Sequence, residues 1–138
     1  MTTVGIVGSR DYPDEQAVRA YVRSLPPGTT VVSGGRTAKN WPGWVGRGVD
    51  VWAAEEAIAC GLTLIECEPD RANGVPACFH IRNARIVGHV NAALYDDDDG
   101  WIAAFSKRPI TPGTASAIRS AEKYAVPVLM EPDPCPAP

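Results

Sequence analysis

The chain has 138 residues, 45% of them apolar, which is enough to bury one sizeable core without support from disulfides or metal. A formal net charge of -3 at pH 7 gives no overall attraction to phosphate backbones, so nucleic-acid binding is disfavoured and any phosphate site must be local. The first residues lack the basic segment and long apolar run of a signal peptide, and no apolar stretch approaches membrane-spanning length. We therefore expect a single-domain cytoplasmic protein that does not enter a membrane.

The cysteines and histidines do not form a metal-binding pattern. Four cysteines include no C-x-x-C pair, and only two histidines are available to complete a site. The residues concerned are Cys60, Cys67, Cys78, Cys135, His80 and His89. We expect reduced, mostly buried thiols, with no metal and no cofactor.

Apolar runs alternate with helical patterns along the chain, which is typical of repeated β-α units and of a parallel sheet covered on both faces. The predicted strands are residues 4–7, 29–32, 62–67, 101–105 and 126–130. The first predicted helix follows Pro13 and is marked by Val18, Tyr21, Val22 and Leu25 at helical spacing. The other predicted helices are residues 49–60, one from His80 or Ile81 to Asn91 or beyond, and residues 114–124 with Thr114 as the N-cap. Residues 91–95 fit either a helix end or a strand.

The pattern predicts an α/β fold, a single Rossmann-like three-layer domain over residues 1–130 with a five-stranded parallel sheet. We expect the strand order 3-2-1-4-5, because it places the loops after the first and fourth strands at the switch point. Residues 131–138 are predicted to be a frayed, proline-rich C-terminal tail.

Three glycine-containing loops lie at the predicted carboxyl ends of the strands, where open parallel sheets bind ligands. They are Gly8-Ser9-Arg10, Ser33-Gly34-Gly35 and Pro112-Gly113-Thr114. Glycines let backbone N–H groups approach a phosphate, and a helix N-terminus favours an anion. The alternative is that each glycine only forms a turn. Neither G-x-G-x-x-G nor G-x-x-x-x-G-K-[ST] is present, so ordinary dinucleotide and P-loop sites are not supported.

Together with Gly48-Val49-Asp50 and Arg82-Asn83 at predicted helix starts, these loops resemble the SLOG superfamily over roughly residues 4–130. The chain is most similar to its small YpsA-related bacterial and phage members, with kinship to the Lonely Guy phosphoribohydrolases. The resemblance implies a Rossmann-like, usually dimeric protein whose pocket holds nucleotides, nucleoside monophosphates or NAD-derived signals. Some members hydrolyse the N-glycosidic bond, and others only sense the ligand.

The resemblance also bears on catalysis. Phe79-His80-Ile81-Arg82-Asn83 is similar to the Met-His-x-Arg-Lys segment of the Lonely Guy enzymes, which implies a catalytic role for Arg82 but replaces the lysine with Asn83. In place of their Pro-Gly-Gly-x-Gly-Thr-x-x-Glu segment, the chain keeps Gly113-Thr114 and has Ser116 or Ala117 where the acid stands. Neither side chain can replace a carboxylate in glycosidic chemistry.

We therefore expect a protein that binds or senses a nucleotide or nucleotide-derived ligand. The alternative is a nucleoside 5′-monophosphate phosphoribohydrolase, in which Arg82 and Asp50 are catalytic. The residues expected to bind ligand are Gly8, Ser9, Arg10, Ser33, Gly34, Gly35, Arg82, Asn83, Gly113 and Thr114. For Arg10 and Arg82 the alternative is a surface salt bridge, and for Asp50 it is compensation of the helix dipole.

Two further segments have competing interpretations. Residues 36–47 carry Trp41 and Trp44, which could cover a bound base or form a subunit contact, and this segment contributes to the prediction of a homodimer. The run from Asp96 to Asp99 is predicted to be a solvated turn, since four consecutive aspartates do not have the spacing of a calcium or magnesium loop.

Overall fold

The protein is described by a computed structural model that covers residues 1–36 and 48–137. Strands and helices alternate along these residues. In chain order they are β1 (Thr2–Gly8), α1 (Glu15–Ser24), β2 (Thr30–Ser33), α2 (Val49–Ala59), β3 (Thr63–Glu66), a 3-10 turn (Arg71–Asn73), α3 (Ala77–Tyr95), β4 (Asp99–Phe105), α4 (Pro112–Lys123) and β5 (Val128–Met130).

The five strands form one all-parallel sheet in the order β3-β2-β1-β4-β5. β1 and β4 pair from Thr2 with Asp99 to Gly8 with Phe105, so their carboxyl ends lie side by side. The chain reverses its direction of travel across the sheet between these two strands, which makes their ends the switch point. The predicted α/β class, the five-stranded parallel sheet and the strand order are confirmed.

An apolar core lies on each face of the sheet, between the sheet and a pair of helices, so the domain has three layers. One core contains Val18 of α1 and Trp52 of α2, and the other contains Ile86 of α3 and Ala117 of α4. β1 contributes to both cores, because successive side chains of a strand point to opposite faces. This packing holds all four helices against a rigid sheet whose loops carry the candidate site.

Two helix starts differ from the prediction. α3 begins at Ala77, directly after Pro76, and not at His80 or Ile81. α4 begins at Pro112 with Thr111 as its N-cap, so the prediction that Thr114 caps this helix is wrong. Proline suits the first helical position, where its missing N–H is not needed, and it therefore moves the start of α4 toward the N-terminus.

The regions after α3 and after β5 are also defined. α3 continues through Tyr95, and the aspartate run forms the turn between α3 and β4, with Asp97 at a φ of 63°. The tail was expected to be frayed, but it is attached to the domain at two residues: Glu131 N donates to the carbonyl oxygen of Ala104 at 2.8 Å, and Cys135 N donates to Ser24 Oγ at 2.7 Å. Among the described residues, no helix is long and apolar enough to cross a membrane.

Candidate functional site

The loops that follow β1 and β4 are joined through Ser9. Its N–H donates to the carbonyl oxygen of Phe105 at 3.0 Å, and its Oγ lies 3.1 Å from Ser106 Oγ and 3.4 Å from Thr111 Oγ1. The same Oγ accepts a hydrogen bond from Lys107 N at 3.3 Å. Ser9 is only 4% exposed, so its hydroxyl fixes the two loops to each other at the switch point.

The first turn of α4 stands directly beside this junction. Thr111 Oγ1 donates to Thr114 Oγ1 at 3.0 Å, and Thr114 is buried. Gly113 between them is exposed, and a Cβ built on it would meet no heavy atom within 4 Å. The first backbone N–H groups of a helix have no partner within the helix. The start of α4 therefore opens to solvent at Gly113 while its threonines hold it in place.

Three basic residues belong to the two loops that meet at this junction. Arg10 is exposed and follows Ser9. Lys107 Nζ pairs with Asp11 Oδ2 at 2.5 Å, and its hydrogen bond keeps the pKa of Asp11 below the ordinary value. Arg108 Nη2 pairs with Glu131 Oε2 at 3.0 Å. The Lys107 and Arg108 side chains are about half exposed, so a ligand anion can compete for them.

A second group of polar residues lies at the carboxyl end of β2. Arg82 Nη1 donates to the carbonyl oxygen of Gly34 at 2.7 Å and lies 3.6 Å from Asp50 Oδ2. A Cβ on Gly34 would clash with both Arg82 and Asp50. The glycine in the second loop therefore has a packing reason, because it lets the ion pair close over the end of the strand.

Asp50 lies in the first turn of α2 and is largely removed from water, with a side chain that is 16% exposed. Burial raises its pKa above the ordinary value, since the loss of solvation outweighs the attraction of Arg82 and a hydrogen bond from the backbone of Gly34. The Asp50 carboxyl group consequently holds a proton to higher pH than an exposed aspartate does.

Asn83 joins the two groups. Its Oδ1 accepts a hydrogen bond from Arg82 Nε at 2.9 Å, and its Nδ2 donates to the carbonyl oxygen of Gly113 at 3.1 Å. Asn83 is 3% exposed, so its amide is used inside the protein. Asn83 thus connects the Arg82 pair to the start of α4.

The predicted site residues fall into these two groups. Gly8, Ser9, Arg10, Gly113 and Thr114 lie at the switch point, and Ser33, Gly34, Gly35, Asp50, Arg82 and Asn83 lie around the end of β2. Ser33 Oγ donates to the carbonyl oxygen of Asp50 at 3.2 Å, and Gly35 has a φ of +87°, a conformation that favours glycine. Of the segment 36–47, the structure describes only Arg36, which donates to both carboxylate oxygens of Glu66. Trp41 and Trp44 therefore lie outside the described residues.

Ser116 and Ala117 are both buried and are used inside the protein. Ser116 Oγ lies 2.8 Å from His80 Nδ1, and Ala117 is fully buried in the core beneath α3 and α4. Neither position offers a carboxylate to a ligand. His80 therefore has a local hydrogen-bonding partner that bridges α3 and α4.

Sequence reasoning missed four residues of the switch point: Ser106, Lys107, Arg108 and Thr111. Only Thr111 had a usable signal, because Thr-Pro is typical of an N-cap followed by the first helical residue.

Within residues 1–36 and 48–137, no group of three or more histidine, cysteine, aspartate or glutamate side chains is arranged to hold a metal ion. Comparison with protein-family models gave no match, and a search of curated proteins found no relative.

Proposed function

We propose that the protein binds a nucleotide or nucleotide-derived ligand whose phosphate lies between the Ser9-Arg10 loop and the start of α4. The observation that carries the proposal is the solvent-facing Gly113 in the first turn of α4, set among basic side chains at the switch point. Free helix N–H groups and the positive end of the helix dipole both favour an anion there.

The charges around the opening suit a phosphate. Arg10 and Arg108 offer guanidinium groups, which can donate two hydrogen bonds to one phosphate, and Lys107 adds a third cation. The carboxylate partners of Lys107 and Arg108 are Asp11 and Glu131. A dianionic phosphate can displace these carboxylates, because exposed single ion pairs are weak.

The resemblance to the SLOG superfamily supports a nucleotide as the ligand class. Within that class, the absence of a carboxylate at Ser116 and Ala117 supports binding or sensing over hydrolysis. Phosphate affinity and glycosidic chemistry are separate properties, so a pocket that keeps the first can lack the second.

Replacing Arg10 with alanine is expected to weaken binding of a nucleoside monophosphate about tenfold to hundredfold, because a charge-assisted hydrogen bond is lost from a partly desolvated site. Gly113→Val is expected to abolish binding by blocking the approach to the helix N–H groups, while circular dichroism shows an intact fold. Arg119→Ala is the matched control, since Arg119 is an exposed cation farther along the same helix. Calorimetric titration measures all three variants, and unchanged affinity in both site variants would place the ligand elsewhere.

A phosphoribohydrolase is the second candidate, favoured by one observation: Asp50 has a raised pKa and lies beside Arg82. A raised pKa keeps a carboxyl group protonated to higher pH, which is the direction that general acid catalysis requires. We nevertheless expect no efficient release of adenine from AMP, because no carboxylate stands at residues 116 and 117. Chromatography of the reaction would detect free base, and robust release that Asp50→Asn and Arg82→Ala both abolish would make the enzyme the better proposal.

A homodimer is proposed on the basis of the same resemblance. Light scattering at micromolar concentration is expected to show twice the chain mass of 14.7 kDa. A single species at the monomer mass would contradict this assembly.

A further inference from the structure

A cleft of about 330 Å³ lies between the β1–α1 loop and the first turns of α2. Its lining residues are Arg10, Asp11, Tyr12, Pro13, Glu15 and Trp52. Ligand pockets in proteins range from about 300 to 1,000 Å³, so this cleft matches the smallest of them. It has room for one small ring system and not for a dinucleotide.

The cleft adjoins residues of the proposed phosphate site. Arg10 lines the cleft and directly follows Ser9, whose hydroxyl contacts the loop after β4. Asp11 also lines the cleft and pairs with Lys107 of that loop. A ligand whose phosphate is at the start of α4 can therefore place its ring in the cleft.

The walls of the cleft suit a flat aromatic ring. The Tyr12 ring is held edge-on against Phe105 with centroids 5.9 Å apart, and Trp52 is only 8% exposed because most of its ring belongs to the core. Both rings are thus fixed in place before a ligand arrives. Rigid aromatic surface provides contact area at little cost in conformational entropy.

Acidic side chains determine which polar edge the ring can present. Ionised carboxylates only accept hydrogen bonds, and the cleft contains two of them, Asp11 and Glu15. Glu15 Oε2 accepts from Arg19 Nε at 2.8 Å, while Oε1 has no hydrogen-bond partner in the described part of the chain. The edge that fits this arrangement carries adjacent N–H donors.

We propose that this cleft is the base site of the nucleotide and that it selects guanine, with the Glu15 carboxylate accepting from the ring N–H and the exocyclic amine. This inference rests on the proposed function. Guanine presents those two donors side by side, whereas adenine presents a ring acceptor beside its amine and hypoxanthine lacks the amine. A site that pairs with donor groups rejects an analogue that lacks them.

Calorimetric titration of the full chain with GMP, IMP and AMP tests this selection. We expect GMP to bind at least about tenfold more tightly than either of the other two, because hydrogen bonds to a charged acceptor are lost in both. Glu15→Gln should reduce GMP affinity to the level of IMP and leave AMP unchanged. Glu55→Gln is the matched control, since it removes another carboxylate from the same Arg19 without touching the cleft.

The phosphate site is tested separately in the same series. Gly113→Val should abolish the binding of all three nucleotides, whereas Glu15→Gln should weaken the binding of GMP alone. Equal affinity for the three nucleotides, or an unchanged affinity for GMP in folded Glu15→Gln protein, would overturn the base site while the phosphate site stands. Failure of every nucleotide to bind the wild-type protein would overturn both.

Discussion

Replacing Gly8 with alanine is expected to lower the free energy of unfolding by about 3 kcal/mol or more, at the upper end of the cost of overpacking. A Cβ at this position would overlap the carbonyl oxygen of Phe105 and lie 2.6 Å from Val49 Cγ2. Neither neighbour can give way cheaply, because Phe105 is paired with Gly8 in the sheet and Val49 is buried at the start of α2. One methyl group therefore pushes apart the elements that carry both halves of the site.

Denaturant unfolding of the Gly8→Ala variant measures this loss. Gly113→Ala is the matched control, because its Cβ meets no heavy atom within 4 Å and alanine is a better helix former than glycine. We expect that variant to change stability by less than about 1 kcal/mol, and in the favourable direction. Equal stability of the two variants would show that the close approach at Gly8 is not as tight as the structure has it.

Replacing Arg82 with alanine is expected to cost about 3–5 kcal/mol, the range measured when one partner of a buried ion pair is removed. Asp50 then keeps a largely buried carboxylate without its counter-charge, and the carbonyl oxygen of Gly34 loses a donor 2.7 Å away. Arg85→Ala is the control on the same helix, since Arg85 is exposed and makes one hydrogen bond at 3.4 Å. That variant should change stability by less than about 0.5 kcal/mol.

The pH dependence of the Arg82→Ala variant identifies the cause of its loss. Burial raises the pKa of Asp50 in the folded protein above its ordinary 3.8, so between that value and the folded pKa the native state holds a proton that the unfolded state has released. Stability due to Asp50 is therefore lost as pH rises from about 3.8 through the folded pKa. Without Arg82 that pKa rises further, and the cost should be smaller at pH 4 than at pH 7.

A double variant separates this electrostatic cost from lost packing. Adding Asp50→Asn to Arg82→Ala should recover much of the stability at pH 7, because the unpaired charge is gone. An Arg82→Ala cost that is the same at pH 4 and pH 7, with no recovery in the double variant, would contradict the role given to the ion pair.

The sheet could be predicted because each strand and helix is marked by residues that are close together in the sequence. Each β-α unit has its own apolar pattern and turn residues, and the right-handed connection rule limits how parallel strands can be ordered. The helix starts were less predictable where two signals competed. Thr114 has the residue type of an N-cap, but Pro112 already belongs in the first turn, and Thr111 takes the capping position.

The site was predicted only in part, because some of its contacts join residues that are distant in the sequence. Ser9, Arg10 and Gly113 were recognisable from their loops. Glu131 was not, since it reaches Ser106 and Arg108 only through the pairing of β5 with β4. Gly8 and Gly34 were predicted to bind ligand because they lie in loops at the ends of strands. In the structure, each also allows neighbouring atoms to approach where a side chain would clash.

Glu131 makes the segment after β5 a support for the loop between β4 and α4. One oxygen of its carboxylate accepts from Ser106 N at 3.2 Å, and the other holds Arg108 at 3.0 Å. A truncation that removes Glu131 would release a backbone donor and a guanidinium together, although no residue of the β4–α4 loop itself is changed. The segment after β5 therefore belongs to the candidate site, and samples used to measure affinity need Glu131 intact.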